Sequence, residues 1–208
     1  MKKYAIRFSA LAGLVACAGA ASALQFIDIQ ITGDASLVGA GNSGVTVNVG
    51  TSDIDFGFHH AVVGDGMALR SGMINITFEV KSDPKKEGFI YCDLLSASVL
   101  TRGSGFVQVS EIIEDMVNGG AAVTQFVNTA TTPGGVLVDT IALKKPTTHI
   151  KVKKTIFLEA QDSTDRAIRD LAAIGLVEQR IKTVVPEPAS MLALSAGIAA
   201  VAARRRRK

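Results

Sequence analysis

The sequence predicts a mainly β protein: one antiparallel, sandwich-like domain with one or two short helices, set between an N-terminal leader and a C-terminal tail. Three observations lead there. Apolar and polar residues alternate with period two in several runs, the pattern of a strand with one buried face. Breaks containing Gly, Asn or Pro separate these runs at short intervals. The helical spacers of about 10–15 residues that parallel βαβ units need are missing between most of them.

In chain order, the segment after residue 23, LQFIDIQI, is strand-like. VTVNVGT alternates Val45, Val47 and Val49 with Thr46 and Asn48. IDFGF places Ile54, Phe56 and Phe58 on one side, and INITFEVK does the same with Ile74, Ile76, Phe78 and Val80. SDPKKEG (82–88) is turn-rich and FIYCDLLSASVL follows, which reads as a hairpin. Further strand candidates are 105–109, 121–127, 136–143 and 149–158, with LVEQRIKTV (176–184) as the last strand. Two stretches carry helix signals. SEIIEDMVNGG has Ser110 as a cap and Gly119 as a stop, and DSTDRAIRDLAAIG has Ser163 and Gly175 in those roles.

The leader places Lys2, Lys3 and Arg7 before a short apolar run that ends in Ala21-Ser22-Ala23. A charged head, an apolar middle and a small-x-small site make a secretory signal peptide, with cleavage after Ala23. This implies the Sec machinery and signal peptidase as partners and Leu24 as the first mature residue. Leu14-Val15-Ala16-Cys17 resembles a lipobox, so a lipidated Cys17 is the alternative.

The tail has three ordered parts: a neck with Pro186, Glu187 and Pro188, an apolar membrane segment over about 190–203, and a basic end, Arg204, Arg205, Arg206, Arg207 and Lys208. Met191–Ala203 would reach only about 20 Å as a helix, against a hydrocarbon core of about 30 Å. It therefore reads as a weak anchor, helped by snorkelling or local thinning. The bases hold the C-terminus in the cytoplasm, and the domain lies on the outer side. The prolines keep the neck extended. Val185-Pro186-Glu187-Pro188-Ala189-Ser190, the apolar run and the arginine cluster together resemble the PEP-CTERM sorting signal of exosortase substrates. The resemblance covers about 24 residues. It implies a bacterial protein, transient membrane anchoring, cleavage near Pro186-Glu187-Pro188 by an exosortase-like membrane enzyme, and association with exopolysaccharide and biofilm. It implies nothing about the domain between the two signals, residues 24–183.

The net charge of +3 misleads. Three of the 22 basic residues lie in the leader and five in the tail, leaving 14 against 18 acidic residues, a net −4 for the middle. A mildly acidic domain gives no electrostatic reason to expect nucleic acid. Once Cys17 leaves with the leader, Cys92 stands alone in FIYCDLL and reads as buried.

No cofactor motif emerges. GAGNSG (39–44) matches Gly-x-Gly-x-x-Gly, but a strand follows where a dinucleotide loop needs a helix N-terminus, so it reads as a turn. The same residues Gly41-Asn42-Ser43-Gly44 are similar to the serine motif of trypsin-like proteases, yet no histidine precedes Ser43. In DIDFGFHH, Asp53, Asp55 and His59 share one strand face, while the adjacent His59 and His60 point apart; the face reads as solvated rather than as a metal site. Asn75-Ile76-Thr77 is a sequon with no use in a bacterium. His149 reads as a surface strand residue. KKPTTHIKVKK (144–154) reads as a solvated, lysine-protected edge.

The leading expectation is an exported, non-enzymatic surface or matrix protein without catalysis of its own. A carbohydrate-binding module using the lysine-rich segment is the runner-up. A secreted hydrolase comes third, because no nucleophile–base–acid set emerges.

Overall fold

A computed structural model describes residues 24–119, 123–129, 135–162 and 169–185. Eleven strands run in the order β1 (Gln25–Gly33), β2 (Val45–Val49), β3 (Asp53–Phe58), β4 (Val62–Gly64), β5 (Ser71–Lys81), β6 (Phe89–Arg102), β7 (Phe106–Asp115), β8 (Val123–Asn128), β9 (Gly135–Thr147), β10 (His149–Glu159) and β11 (Leu171–Val184). One short helix, α1 (Ala35–Val38), and a 3-10 turn over Ala40–Asn42 lie between β1 and β2.

The strands form two antiparallel sheets in a sandwich-like arrangement. The five-stranded sheet has the order β1-β5-β10-β7-β8, and the six-stranded sheet β2-β3-β11-β6-β9, with β4 paired to β11. Among the described strands, only β2–β3 and β7–β8 are both consecutive in sequence and paired. Most connections therefore carry the chain from one sheet to the other.

The period-two pattern explains the core. Ile74, Ile76, Phe78 and Val80 of β5 face Ile54 and Phe56 of β3, all of them fully buried. The Phe56 and Phe78 rings meet between the sheets with centroids 5.8 Å apart, and Phe26 of β1 lies 6.3 Å from Phe78. Such tilted aromatic pairs add about 1 kcal/mol beyond their area burial. Leu37 and Val38 of α1 are buried at the end where β1 turns toward β2. Cys92 is buried, as its apolar surroundings predict.

Three expectations change. Residues 82–88 do form a turn: the Lys85 N–H donates to Asp83 Oδ1 at 3.0 Å, and the Asp83 N–H to Glu87 Oε2 at 2.6 Å. It does not close a hairpin, because β5 and β6 belong to different sheets. The expected helix from Ser110 is instead the second half of β7. Val107, Val109, Glu111 and Ile113 point inward in strict alternation. A buried glutamate at an inward position makes the strand look like an amphipathic helix. The expected helix ending at Gly175 is contradicted over Leu171–Gly175, which belongs to β11; residues 163–168 lie outside the described residues. A register shift between Ile174 and Leu176 opposite β6 breaks the alternation there. Ala172 and Ile174 point inward before it, and Val177, Gln179 and Ile181 after it.

Candidate functional site

Ala21 and Ala23 of the expected leader, and Pro186, Glu187, Pro188 and Arg204–Arg207 of the sorting signal, lie outside the described residues, as does the expected membrane segment. Among the described residues no helix is long and apolar enough to cross a membrane. Leu24 and the last strand, the described residues nearest these segments, share one loop. The Leu24 N–H donates to the Thr51 carbonyl at 2.9 Å, and the Ile181 N–H donates to the Ser52 carbonyl at 2.8 Å. The first residue after the leader and the last strand before the neck thus hold consecutive carbonyls of one loop. Leu24 and the C-terminal part of β11 therefore lie at the same end of the sandwich.

A set of polar contacts gathers at the opposite end. Arg70 pairs with Asp65 at 2.5 Å and with Asp162 at 2.7 Å. The Asp170 N–H donates to Asp65 Oδ2 at 2.9 Å, and the Ser104 N–H donates to Asp170 Oδ1 at 2.7 Å. The hydrogen bond from Asp170, followed by that from Arg70, holds the Asp65 carboxyl below its ordinary range. These bonds tie the 65–70 connection, Ser104, Asp162 and Asp170 into one surface.

A groove of about 310 Å³ opens near this end. It lies where β11 exchanges β3 for β4 as its partner, at the β11 bulge. Phe58, Ala61, Val99 and Ile174 form its buried floor, and His59, His60, Ser98, Leu100 and Gly175 its exposed rim. A Cβ at Gly175 would meet nothing within 4 Å, so the bulge leaves open space.

The DIDFGFHH residues sit as the alternation predicts. Ile54, Phe56 and Phe58 are buried, and Asp53 and Asp55 are on the other face. His59 Nε2 lies 2.8 Å from Thr46 Oγ1. Partial burial, then the neighbouring Glu178 and Asp53 carboxylates, raises the Asp55 carboxyl, while Arg180 opposes. No group of three or more His, Cys, Asp or Glu among the described residues is placed to hold a metal ion.

The lysine-rich segment divides. Lys144, Lys145 and Pro146 are exposed on β9, an edge strand, where lysine and proline deter foreign pairing. The remainder is not an edge, because β10 lies inside its sheet between β5 and β7. On the outer face Lys153 meets Glu114 at 2.7 Å, and His149 Nε2 lies 2.8 Å from Glu79 Oε2. The His149 contact holds Glu79 below its ordinary range against the opposing effect of partial burial. Thr155 Oγ1 donates to Asn75 Oδ1 at 2.9 Å on the same face.

Lys154 points inward instead. Its Nζ contacts Glu111 Oε2 from the adjacent strand β7, with both side chains inaccessible to solvent. From the facing sheet, Gln179 of β11 reaches Glu111 with Nε2 to Oε1 at 3.4 Å. Asp93 of β6 completes the quartet: Asp93, Glu111 and Gln179 are 0 % exposed and Lys154 1 %. Neither Asp93 oxygen has a hydrogen bond of good geometry. Burial pushes the Asp93 carboxyl up to about 6, with the Lys154 charge and looser contacts from Gln179 and Leu94 opposing. Burial likewise pulls the Lys154 amine down to about 7, against the Asp93 charge. None of the four was singled out from sequence, although a signal exists: a polar residue stands in the apolar phase of four strands, as in Val152-x-Lys154-x-Ile156 and Val177-x-Gln179-x-Ile181.

Residues 184–207 match the family described as the PEP-CTERM protein-sorting motif. No curated protein matches the chain in sequence. Among solved structures, TmCBM61 in complex with β-1,4-galactotriose is similar over 74 % of this chain and 88 % of that one, at 17 % identity and a TM-score of 0.36. The family 11 carbohydrate-binding module from Clostridium thermocellum, in complex with a β-1,3-1,4-mixed-linked tetrasaccharide, is similar over 79 % and 89 %, at 10 % identity and a TM-score of 0.27.

Proposed function

We propose that this chain is an exported, transiently membrane-anchored surface or matrix protein with no catalysis of its own. Signal peptidase removes residues 1–23, and residues 24–183 fold as a sandwich outside the inner membrane. The segment about 190–203 halts export, and an exosortase-like enzyme cuts near Pro186-Glu187-Pro188. The released domain joins the cell surface or an exopolysaccharide matrix. The observation that carries this reading is the sorting motif at 184–207, which begins where β11 ends. The shared end of Leu24 and the last strand supports it: a sandwich tethered there turns the Asp65, Arg70 and Asp170 end away from the membrane.

The test is the mass and termini of the protein recovered from its native host. The expected product begins at Leu24 and lacks residues 191–208. Replacing Pro186 and Pro188 with alanine leaves full-length protein in the membrane, and replacing Arg204–Lys208 with glutamine misplaces the tail. Recovery of the wild-type protein wholly with residues 191–208 attached would make the tail a permanent anchor and overturn the reading.

A further inference from the structure

The end of the sandwich from which the neck departs is rich in exposed lysine, although residues 24–183 carry a net negative charge. Register gathers this end from distant segments. Lys81 pairs with both Gln25 and His149. The Ser82 N–H donates to the Thr148 carbonyl at 2.9 Å, and the Met116 N–H to the His149 carbonyl at 3.0 Å. Ile90 pairs with Thr147 on one side and with Thr183 on the other. The 82–88 turn, the end of β7, the β9–β10 turn and the end of β11 therefore lie together with Leu24.

Lys85 and Lys86 are exposed in the turn, Lys144 and Lys145 on β9, and Lys182 on β11. The carboxylates of the same turns are engaged locally. Asp83 accepts from the Lys85 N–H, Glu87 from the Asp83 N–H, and Asp115 from Thr147 and Asn118. Exposed apolar side chains stand among the lysines: Met116 and Val117 after β7, and Val184 and Val185 at the neck. Tyr91 joins them through a double bulge. On one side the register of β6 passes from Cys92–Lys182 to Ile90–Thr183, and on the other from Cys92–Ala142 to Ile90–Thr147. Tyr91 thus has no opposite residue on either neighbouring strand, and its side chain is exposed between Lys182 and the Lys144–Lys145 pair. A tyrosine ring ringed by long basic side chains is a combination suited to the boundary between lipid and water.

We propose that this end docks on the anionic phospholipid surface of the membrane that holds the chain's own apolar segment. The proposal rests on the membrane-anchored reading given under Proposed function. Five residues separate Val185 from position 190, and at about 3.5 Å each they span at most about 18 Å. That is less than two Debye lengths of about 10 Å at 0.1 M salt, so the lysines stand within electrostatic range of the headgroups. The tether also makes docking intramolecular, so a contact too weak to hold a free domain is populated while the neck is intact. The lysines meet the phosphates, and Tyr91, Val184 and Val185 enter the zone between headgroups and acyl chains. The neck is thereby held at the bilayer surface, and cutting it removes the tether that sustains the contact.

Acrylamide quenching of Tyr91 fluorescence tests this, because the chain has no Trp and its other tyrosine, Tyr4, lies in the leader. The exported chain, produced in a host without an exosortase so that its tail is retained, is reconstituted in two kinds of vesicle. One is phosphatidylcholine, and the other is phosphatidylcholine with an equal part of phosphatidylglycerol. Quenching should fall about twofold in the anionic vesicles and recover at about 1 M salt, where the Debye length is about 3 Å. Replacing Lys85, Lys86, Lys144, Lys145 and Lys182 with glutamine should abolish the difference and leave the melting temperature unchanged, since all five are exposed. Equal quenching of the wild-type chain in the two kinds of vesicle overturns the proposal. Protection by added alginate in neutral vesicles, with none from phosphatidylglycerol, overturns it in favour of an acidic polysaccharide. Flotation separates the surface from the anchor. Wild-type and glutamine chains should float equally with neutral vesicles, through the tail alone. Flotation with anionic vesicles only, and only with the lysines intact, would refute the anchor and keep the docking surface; flotation with neither kind overturns both.

Discussion

Gly88 packs against the backbone of Val184, the last residue of β11: a Cβ on Gly88 would stand 2.6 Å from the Val184 carbonyl carbon. The turn between β5 and β6 thus abuts the point where the sandwich hands the chain to its neck. Gly88 also holds a φ of 83°, a region that side chains disfavour. Gly88→Ala should therefore lose about 1–3 kcal/mol, from strain and collision together. Urea unfolding of the two proteins checks this. Limited proteolysis should also cut the variant sooner near Val184–Val185, and an unchanged midpoint would mean that the contact is not tight.

Lys154 is the one cation of the buried quartet. Lys154→Ala leaves Asp93, Glu111 and Gln179 buried without it and opens a cavity. The expected loss is about 3–5 kcal/mol, the usual cost of breaking a buried pair from one side. Lys154→Met keeps the volume, and replacing Asp93 and Glu111 with apolar residues as well should recover much of the loss. Thermal melts of the single and triple variants decide it; a triple variant no better than Lys154→Ala would place the cost in packing rather than charge.

Asp115 sets a low-pH limit. Partial burial alone would raise its carboxyl. Donors from Asn118, Thr147 and the Val117 N–H outweigh this and hold it at about 2, below the ordinary 3.8 of an aspartate. The Thr147 Oγ1 and Asn118 Nδ2 contacts are both 2.7 Å. A depressed carboxyl stabilises the fold above the unfolded value, and that contribution is lost as pH falls from near 4 through about 2. With allowance for solvent screening it amounts to about 1 kcal/mol. Asp115→Asn should lower stability at neutral pH and flatten the fall between pH 4 and 2, as measured by urea titration across that window.

Lys144, Lys145 and Pro146 guard the β9 edge. Changing all three to valine gives a strand that already exposes Val136 and Val138 a longer apolar border. Light scattering should show greater concentration-dependent association than for wild type. Equal behaviour of the two proteins would place the edge protection elsewhere.

The fold was legible where each inward position is apolar. Ile74, Ile76, Phe78 and Val80 reveal β5, and Ile54, Phe56 and Phe58 reveal β3, because burial and residue type agree at every second position. The first half of β7 was legible as 105–109 but the second half was not, since Glu111 is inward and Ile112 is not fully buried, which inverts the usual code for two consecutive residues. In β11 the code is correct on both sides of Gly175, but the bulge resets its phase. Pairing was the least legible feature. Nothing local in residues 82–88 says whether the next strand lies beside β5 or in the opposite sheet. The groove is equally hidden, because it arises where β11 changes partners and so depends on residues far apart in sequence.

The interior place of β11 has a consequence for timing. It is the last strand of the sandwich in chain order, yet it lies between β6 on one side and β3 with β4 on the other. Until Leu171–Val184 arrives, the larger sheet is three unjoined pieces, β2–β3, β4 and β6–β9. Such long-range pairings form late, and an open piece exposes unpaired edges meanwhile. A chain threaded vectorially, from its first residue onward, therefore stays incompletely folded until its final strand clears the channel. The 24 residues matched by the sorting motif start at Val184, in the last position of that strand. Completion of the sandwich and presentation of its neck thus become a single event in the life of the chain.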